Sequence, residues 1–198
     1  MQRPDDLKKM LCRAMDNVRQ TSSDFDLNPD VVLPVGRVLK PAAVLIAVTT
    51  DGQLILTKRA THLKHHPGQI AFAGGRKDDT DRDLVQTALR EADEEIGLLP
   101  GAVDVVGRMP DYSTGSGYRI APVLGIVQPG FDLHINPDEV DAAFEVPLAF
   151  LMDPANHRRE SRLWQEKERF YYTMPFGDRF IWGVTAGIIR TLYERLYA

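Results

Sequence analysis

Three glutamates, Glu91, Glu94 and Glu95, fall within five residues of one another in the stretch Phe72–Leu98, FAGGRKDDTDRDLVQTALREADEEIGL. On a helix of about 3.6 residues per turn, Glu91 and Glu95 are i,i+4 neighbours and Glu91 and Glu94 are i,i+3 neighbours. The three carboxylates therefore share one face. Like charges at these spacings repel and weaken a helix, so a plain surface helix gains nothing from stacking them. A hard divalent cation such as Mg2+ prefers a few carboxylate oxygens together with water and substrate phosphates, and this face supplies such carboxylates. A solvated acidic face, with Arg90 pairing to Glu94, accounts for the same residues. Taken alone, the carboxylates favour that simpler reading.

The elements that must position them are legible around the cluster. Val85, Leu89, Ala92 and Ile96 form one apolar stripe at helical spacing, ending at Gly97, which suits a left-handed helix stop. Ala42–Thr49, AAVLIAVT, suits a strand buried on both faces, and Asp51-Gly52 signals a hairpin returning along Leu54–Lys58. The next stretch, Leu56–Gly75, carries Lys58, Arg59 and Lys64 with His62, His65 and His66. Basic residues beside an acidic metal site suit an anionic ligand that bridges both, although a solvated basic loop has the same composition. The histidine spacing lacks thiolates or a clear fourth ligand, so zinc is rejected.

Toward the N-terminus, Asp5–Val18 reads as a helix whose Met-rich stripe suits core packing or a homodimer contact, followed by a loop over Thr21–Val35. Beyond the acidic helix, strands are expected over Ala102–Met109, Arg119–Val127 and Glu139–Val146, with a short helix at Pro147–Leu151. Loops are expected over Pro110–Tyr118 and Pro129–Asp138, and an exposed excursion over Asp153–Glu168. Strands Arg169–Met174 and Phe180–Trp182 and a helix Gly183–Leu196 close the chain. Phe170, Tyr171 and Tyr172 suit stacking on adenine or, as in most strands, core packing. These elements give an α/β chain with a mixed sheet and helices on both sides. The division expected is an N-terminal helical arm and loop over residues 1–35 and one domain over 36–198. A net charge of -4 argues against a nucleic-acid surface. The single cysteine, Cys12, excludes an intrachain disulfide and points to a reducing cytoplasm. No apolar run is long enough to span a membrane.

The order Gly-Gly, Asp-rich loop, Arg-Glu, Glu-Glu, Gly resembles the Nudix box of the Nudix hydrolases, G-x5-E-x7-R-E-U-x-E-E-x-G-U, where U is aliphatic. Gly75, Arg90, Glu91, Ala92, Glu94, Glu95, Gly97 and Leu98 match. Asp81 stands where the first Glu is usual, and the spacer to Arg90 is one residue longer. A second resemblance is to the coenzyme A pyrophosphatase branch, whose signature is roughly L-L-T-x-R-x3-L-R-x2-x-G-Q-x-x-F-P-G-G. Leu56, Thr57, Arg59, Leu63, Gly68, Gln69, Phe72, Gly74 and Gly75 match, while Lys64 replaces an Arg and Ala73 a Pro. The Asp81 variant and its longer spacer are usual in this branch, and the tail WGVTAGIIRTL is similar to it as well. The two motifs together cover about a fifth of the chain.

The resemblance implies a Nudix α/β/α sandwich with a loop–helix–loop catalytic motif, and Mg2+ or Mn2+ as cofactor. Glu91, Glu94 and Glu95 are the implied metal ligands, and Glu91 or an outside carboxylate, Glu139 or Glu145, the implied base. Arg90 is expected to orient a glutamate. Lys58, Arg59 and Lys64 are expected to contact substrate phosphates. Gly74 and Gly75 are expected to let the backbone turn sharply and approach phosphate, or to serve packing alone. The implied reaction splits coenzyme A or its thioesters into 3′-phospho-AMP and 4′-phosphopantetheine. Two alternatives stand beside it: a hydrolase of ADP-ribose or another nucleoside diphosphate derivative, and a non-catalytic nucleotide-binding module.

Overall fold

The computed structural model describes residues 4–16, 22–31, 36–164 and 166–197. Strand β2 (Lys40–Thr49) is its centre. Ala43, Leu45 and Ala47 point to one side of the sheet, and Ile46 and Val48 point to the other. The period-two alternation of a strand thus fills two cores from one continuous apolar run. β2 lies parallel to β8 (Tyr118–Val127) along its whole length, and antiparallel to β3 (Gln53–Arg59) and β5 (Gly74–Arg76). The far side of β8 carries β6 (Val103–Arg108) and β7 (Tyr112–Ser113), and β7 pairs in parallel with β1 (Ser22–Ser23). β3 is flanked by β9 (Val140–Pro147) and, where β2 ends, by β4 (Ile70–Ala71). Gly52 takes φ 83° in the turn between β2 and β3, a conformation that glycine adopts without strain.

One face of this mixed sheet holds helix α2 (Leu84–Ile96), whose Ala88, Ala92 and Ile96 meet Ala43, Leu45 and Ala47. The other face holds α1 (Pro4–Asp16) and α4 (Gly183–Tyr197), with Leu7, Leu11, Ile188, Ile189 and Leu192 in a single core with Ile46 and Val48. The short helix α3 (Leu148–Leu151) adds Leu148 and Leu151 to that core. A second sheet of β10 (Arg158–Trp164), β11 (Lys167–Phe176) and β12 (Arg179–Trp182) contributes Met174 and Ile181 to it. The result is the expected α/β/α sandwich.

Several boundaries differ from the sequence reading. The first helix is described over Pro4–Asp16, and Val18 lies outside the described residues. The stretch expected as a loop over 21–35 contains β1; its residues 21 and 32–35 lie outside the described residues. The loop expected over 110–118 contains β7. The excursion over 153–168 is instead half of a regular hairpin, with Arg158–Trp164 paired to Lys167–Thr173. Its polar composition hid it. The strand is almost wholly exposed, and arginine–aromatic contacts take the place of an apolar alternation. The Arg159 guanidinium lies 4.1 Å from the Phe170 ring centroid, and that of Arg162 lies 5.0 Å from Trp182.

The α1 helix is tied to α4 by the Arg195 side chain, whose Nε donates to the Ala14 carbonyl. Leu11 is fully buried between them and the sheet. Leu11→Ala should therefore lower stability by about 2–5 kcal/mol, as large-to-small changes at closed core positions do. Urea unfolding of the full chain measures this, and a loss below about 1 kcal/mol would show that α1 is only loosely attached.

Candidate functional site

The acidic helix is fixed at both ends. At its start, Asp83 accepts a hydrogen bond from the Gln86 amide at 2.8 Å, which satisfies one of the free N–H groups of the first turn. At its end, Gly97 takes φ 68°, and its N–H and that of Leu98 close on the Asp93 and Ala92 carbonyls. The last carbonyls are then capped from outside. The His134 amide donates to Ile96 O at 2.8 Å and the Asn136 amide to Glu95 O at 2.9 Å. This capping draws the loop before β9 against the helix, and it delivers Glu139 to the cluster. The Ala60 amide donates to Glu139 O at 2.9 Å, so the end of β3 is joined to the same place.

Arg90 is the hub of the cluster. Its Nε lies 3.0 Å from Asp81 Oδ1 and its Nη2 3.1 Å from Asp81 Oδ2, a two-bond fork. Nη2 also reaches Glu91 Oε1 at 2.9 Å, and Nη1 reaches Glu94 Oε2 at 2.7 Å. Asp81 is buried, and it takes further hydrogen bonds from Thr87 Oγ1 at 2.9 Å and the Asp78 amide at 2.9 Å. The hydrogen bond from Arg90, with these two, pulls the Asp81 carboxyl down to about 2. Asp81 thus anchors the arginine that holds the glutamates. Its signal in the sequence was its distance of nine residues from Arg90, bridged by the loop rather than by the helix.

The glutamates do not share one environment. Glu94 is exposed, Glu91 is half-buried, and Glu95 is 3% exposed, on the side of α2 that meets the sheet. Burial, then the Glu91 charge, push the Glu95 carboxyl up to about 8, while Arg59 draws it the other way. Burial also raises Glu91; Arg90 opposes this, and Glu94 and Glu139 add to it. Glu139, rather than Glu145, is the outside carboxylate coupled to both. Its Oε1 lies 3.4 Å from Asn136 Nδ2, a residue without an assigned role in the sequence reading.

The glycine pair owes its identity to close packing. Gly74 and Gly75 lie in extended β5, paired with Val44 and Ala43 of β2. A Cβ on Gly74 would run into the Ala43 carbonyl and Val44, and one on Gly75 would run into the Glu91 carboxylate. The sharp turn expected at the pair is absent, because neither residue needs a positive φ. Gly75 leaves the space that the Glu91 carboxylate fills.

The basic residues separate. Arg59 sits at the end of β3, past a register shift against β9, on the side where it couples to Glu95. Lys58 pairs with Ile70, which belongs to the core on the opposite face, and its Cε borders Gly68. Lys64 is exposed on the loop between β3 and β4. That loop is joined to the Glu139 segment by Thr61 N on Asp141 Oδ2 at 3.2 Å and by His62 Nε2, 3.1 Å from Asp138 O.

Among the described residues, no three His, Cys, Asp or Glu side chains converge as closely as ligands around a metal ion. Arg90 holds oxygens of both Glu91 and Glu94. The donor chemistry nonetheless fits a hard divalent cation. The four carboxylates Glu91, Glu94, Glu95 and Glu139 offer oxygen only, and two have their charged form disfavoured by burial and crowding. No described helix is long and apolar enough to cross a membrane.

A mixed α/β/α sandwich with an Arg-anchored acidic helix against its central sheet defines the class. The NUDIX domain model matches residues 38–171. The uncharacterized Nudix hydrolase NudL of Cronobacter sakazakii is 44% identical over 163 residues, covering 77% of this chain and 81% of the relative. That of Escherichia fergusonii is 41% identical over 155 residues with the same coverage. The crystal structure of DR0079 from Deinococcus radiodurans superposes with a TM-score of 0.53 at 14% identity, over 82% of this chain and 90% of that one, a likeness of fold. The chain belongs to the Nudix family and is a hydrolase acting on diphosphate linkages, a reaction for which the family uses divalent metal ions.

The raised Glu95 carboxyl sets a pH dependence. Its ordinary value is 4.5 and its folded value about 8, so between these the folded protein keeps a proton that the unfolded chain releases. Metal-free protein should lose stability as pH rises through that window, by an amount on the order of a few kcal/mol. Glu95→Gln keeps the shape and removes the charge, so its metal-free stability should fall less over the same range, with Glu91 contributing what remains, while turnover falls by orders of magnitude. Thermal unfolding with EDTA across the window measures this. A large loss of melting temperature in Glu95→Gln at low pH would show that the residue is structural.

Proposed function

We propose that this enzyme hydrolyses the diphosphate bond of coenzyme A or its thioesters, releasing 3′-phospho-AMP and 4′-phosphopantetheine or its acyl form. One placement supports the reading. Two parts of the segment Leu56–Gly75, which resembles the coenzyme A pyrophosphatase signature, meet the acidic helix: the Arg59 charge acts on Glu95, and Gly75 lies against the Glu91 carboxylate. A general diphosphatase of ADP-ribose needs the acidic helix but not that segment.

Glu91, Glu94 and Glu95 are the ligands we assign to Mg2+ or Mn2+. A cation held there would neutralise diphosphate charge and acidify water. Arg90 holds the helix carboxylates in register through its anchored fork. Glu91 or Glu139, both half-buried and coupled to each other, is the residue we assign to accept the proton from the attacking water. Arg59 supplies positive charge beside the cluster for the diphosphate.

Product analysis with Mg2+ or Mn2+ and with EDTA tests the reaction. Cleavage of coenzyme A at the diphosphate that stops on chelation is expected. Turnover that survives complete chelation removes the metal mechanism, and equal or faster turnover of ADP-ribose removes the substrate assignment.

Coenzyme A also carries a 3′-phosphate, and a pocket that selects it needs cations away from the metal cluster. Lys64, exposed on the loop joined to the Glu139 segment, is the candidate. Lys64→Ala should raise KM more than it lowers kcat, and it should narrow the advantage of coenzyme A over dephospho-coenzyme A. Arg59→Gln should lower kcat/KM for both alike. The measurement is kcat/KM for both substrates in the three proteins. Equal losses in Lys64→Ala would make Lys64 a general contact or a loop residue.

A further inference from the structure

Strand β10 is an edge. It pairs with β11 on one side, and among the described residues no strand pairs with its other side. The ladder runs without a bulge from Arg158 to Trp164, so the outer row of N–H and C=O groups is straight and regular. Edge strands of this kind are templates for further pairing unless something blocks them. Proline and bulges are absent from β10, and the available blocking device is charge, in Arg158, Arg159 and Arg162.

The pattern of those charges decides what the edge can accept. None of the three arginines has a carboxylate within ion-pair distance among the described residues. Arg159 lies over Phe170, and Arg162 lies among Trp164, Tyr171 and Trp182 at 5.0–5.9 Å. The strand's single acid, Glu160, accepts from Thr173 Oγ1 through one oxygen. At the end of the strand, Leu163 and Trp164 are 79% and 55% exposed.

Consider a second copy of β10 laid antiparallel along the first about a two-fold axis. Only alternate residues point their N–H and C=O outward, so the axis must pass through a residue position, not between two. An axis through Glu160 sets Glu160 against its own copy and Arg158 against Arg162. An axis through Arg162 sets arginine against arginine. An axis through Ser161 sets Glu160 against Arg162 twice, Arg158 against Trp164 twice, Arg159 against Leu163 twice, and Ser161 against itself. Of these central registers it alone has no like charges opposed. It offers two ion pairs and two cation–aromatic pairs, on a face where directly opposite side chains meet.

We infer that β10 is a homodimer interface, in which two copies join their small sheets edge to edge in the register centred on Ser161. The occupant is a second copy because the strand's own sequence supplies both halves of each complementary pair. The contact is one strand wide, so the dimer is a weak and concentration-dependent one. It leaves the acidic helix and the β3–β4 loop outside the contact, so each copy keeps a whole site.

Sedimentation equilibrium of the full chain gives the first test. The weight-average mass should rise from 22.2 kDa toward twice that value as concentration increases. Glu160→Arg and Arg162→Glu, each alone, oppose like charges and should hold the protein at the monomer mass. The double variant restores opposite charges and should restore the dimer, whatever Glu160→Arg does to the bond with Thr173. Ser161→Cys in a Cys12→Ser background should form an intermolecular disulfide on mild oxidation, because the two residues 161 face each other across the axis. A wild type that stays monomeric up to its solubility limit overturns the proposal. A dimer that neither responds to the charge swaps nor cross-links through residue 161 also overturns it, since its contact lies on another face.

Discussion

The site depends on the fork between Arg90 and Asp81. Glutamates at i,i+3 and i,i+4 on one helix, with a fourth carboxylate brought in from a loop, repel one another in a half-dry pocket. Arg90 is the cation that lets the cluster exist without metal, and it reaches Glu91 and Glu94 at once. A free arginine would be as mobile as any long side chain. Here Asp81 takes its Nε and one Nη in a buried two-bond contact, and Thr87 and the Asp78 amide in turn fix Asp81. The guanidinium, further held by Nη2 on the Arg76 carbonyl at 3.2 Å, therefore keeps N–H groups on Glu91 and Glu94. Replacing Arg90 by Lys would keep the charge and lose this division of labour.

The same constraint explains the sequence around it. The Asp81 carboxylate must reach Arg90 from a loop, so the extra residue in the spacer lies where the chain turns from β5 into α2. Asp78 and Asp81 close that turn with their own hydrogen bonds, the Asp81 amide on Asp78 O at 3.1 Å. Lys77 caps it with Nζ on Asp81 O at 2.6 Å. The acid-rich loop thus reads as scaffolding for the arginine more than as a second metal site. The helix can approach the sheet because its buried stripe is alanine-rich, and that approach brings Glu91 onto Gly75.

Much of this was legible in the sequence, and the rest was hidden for physical reasons. The strand at 40–49, the helix ending at Gly97 and the sandwich follow from apolar periodicity and one left-handed stop. The stripe of α2 was read slightly off its true centre. Val85 and Leu89 are half-buried, whereas Ala88 and Glu95 turn inward, because a small residue and a carboxylate give no hydropathy signal of burial. Glu139 was named with Glu145 as an equal candidate. What separates them is the capping of α2 by the amides of His134 and Asn136, a contact between backbones that side-chain patterns do not encode. Lys58 and Arg59 are adjacent in the sequence, yet alternation along a strand sends them to opposite faces, and only Arg59 joins the acids. Of the hairpin at 158–176, the strand Arg169–Met174 was legible, and its partner Arg158–Trp164 was not, because that strand is largely polar on both sides.

Glu95 shows how a binding function can be stored in a fold. A carboxylate at a core-facing position of α2 is a poor choice for stability, and the protonated form that the metal-free protein favours at neutral pH is the fold's own answer to it. On the proposed assignment, a divalent cation held by Glu95 would favour the charged form instead, and metal affinity and pH would then be linked through this one side chain. Arg59, the nearest basic residue, already biases Glu95 toward the charged form without forming an ion pair with it. Its position at the end of β3, past the register shift, sets its charge against the acidic helix.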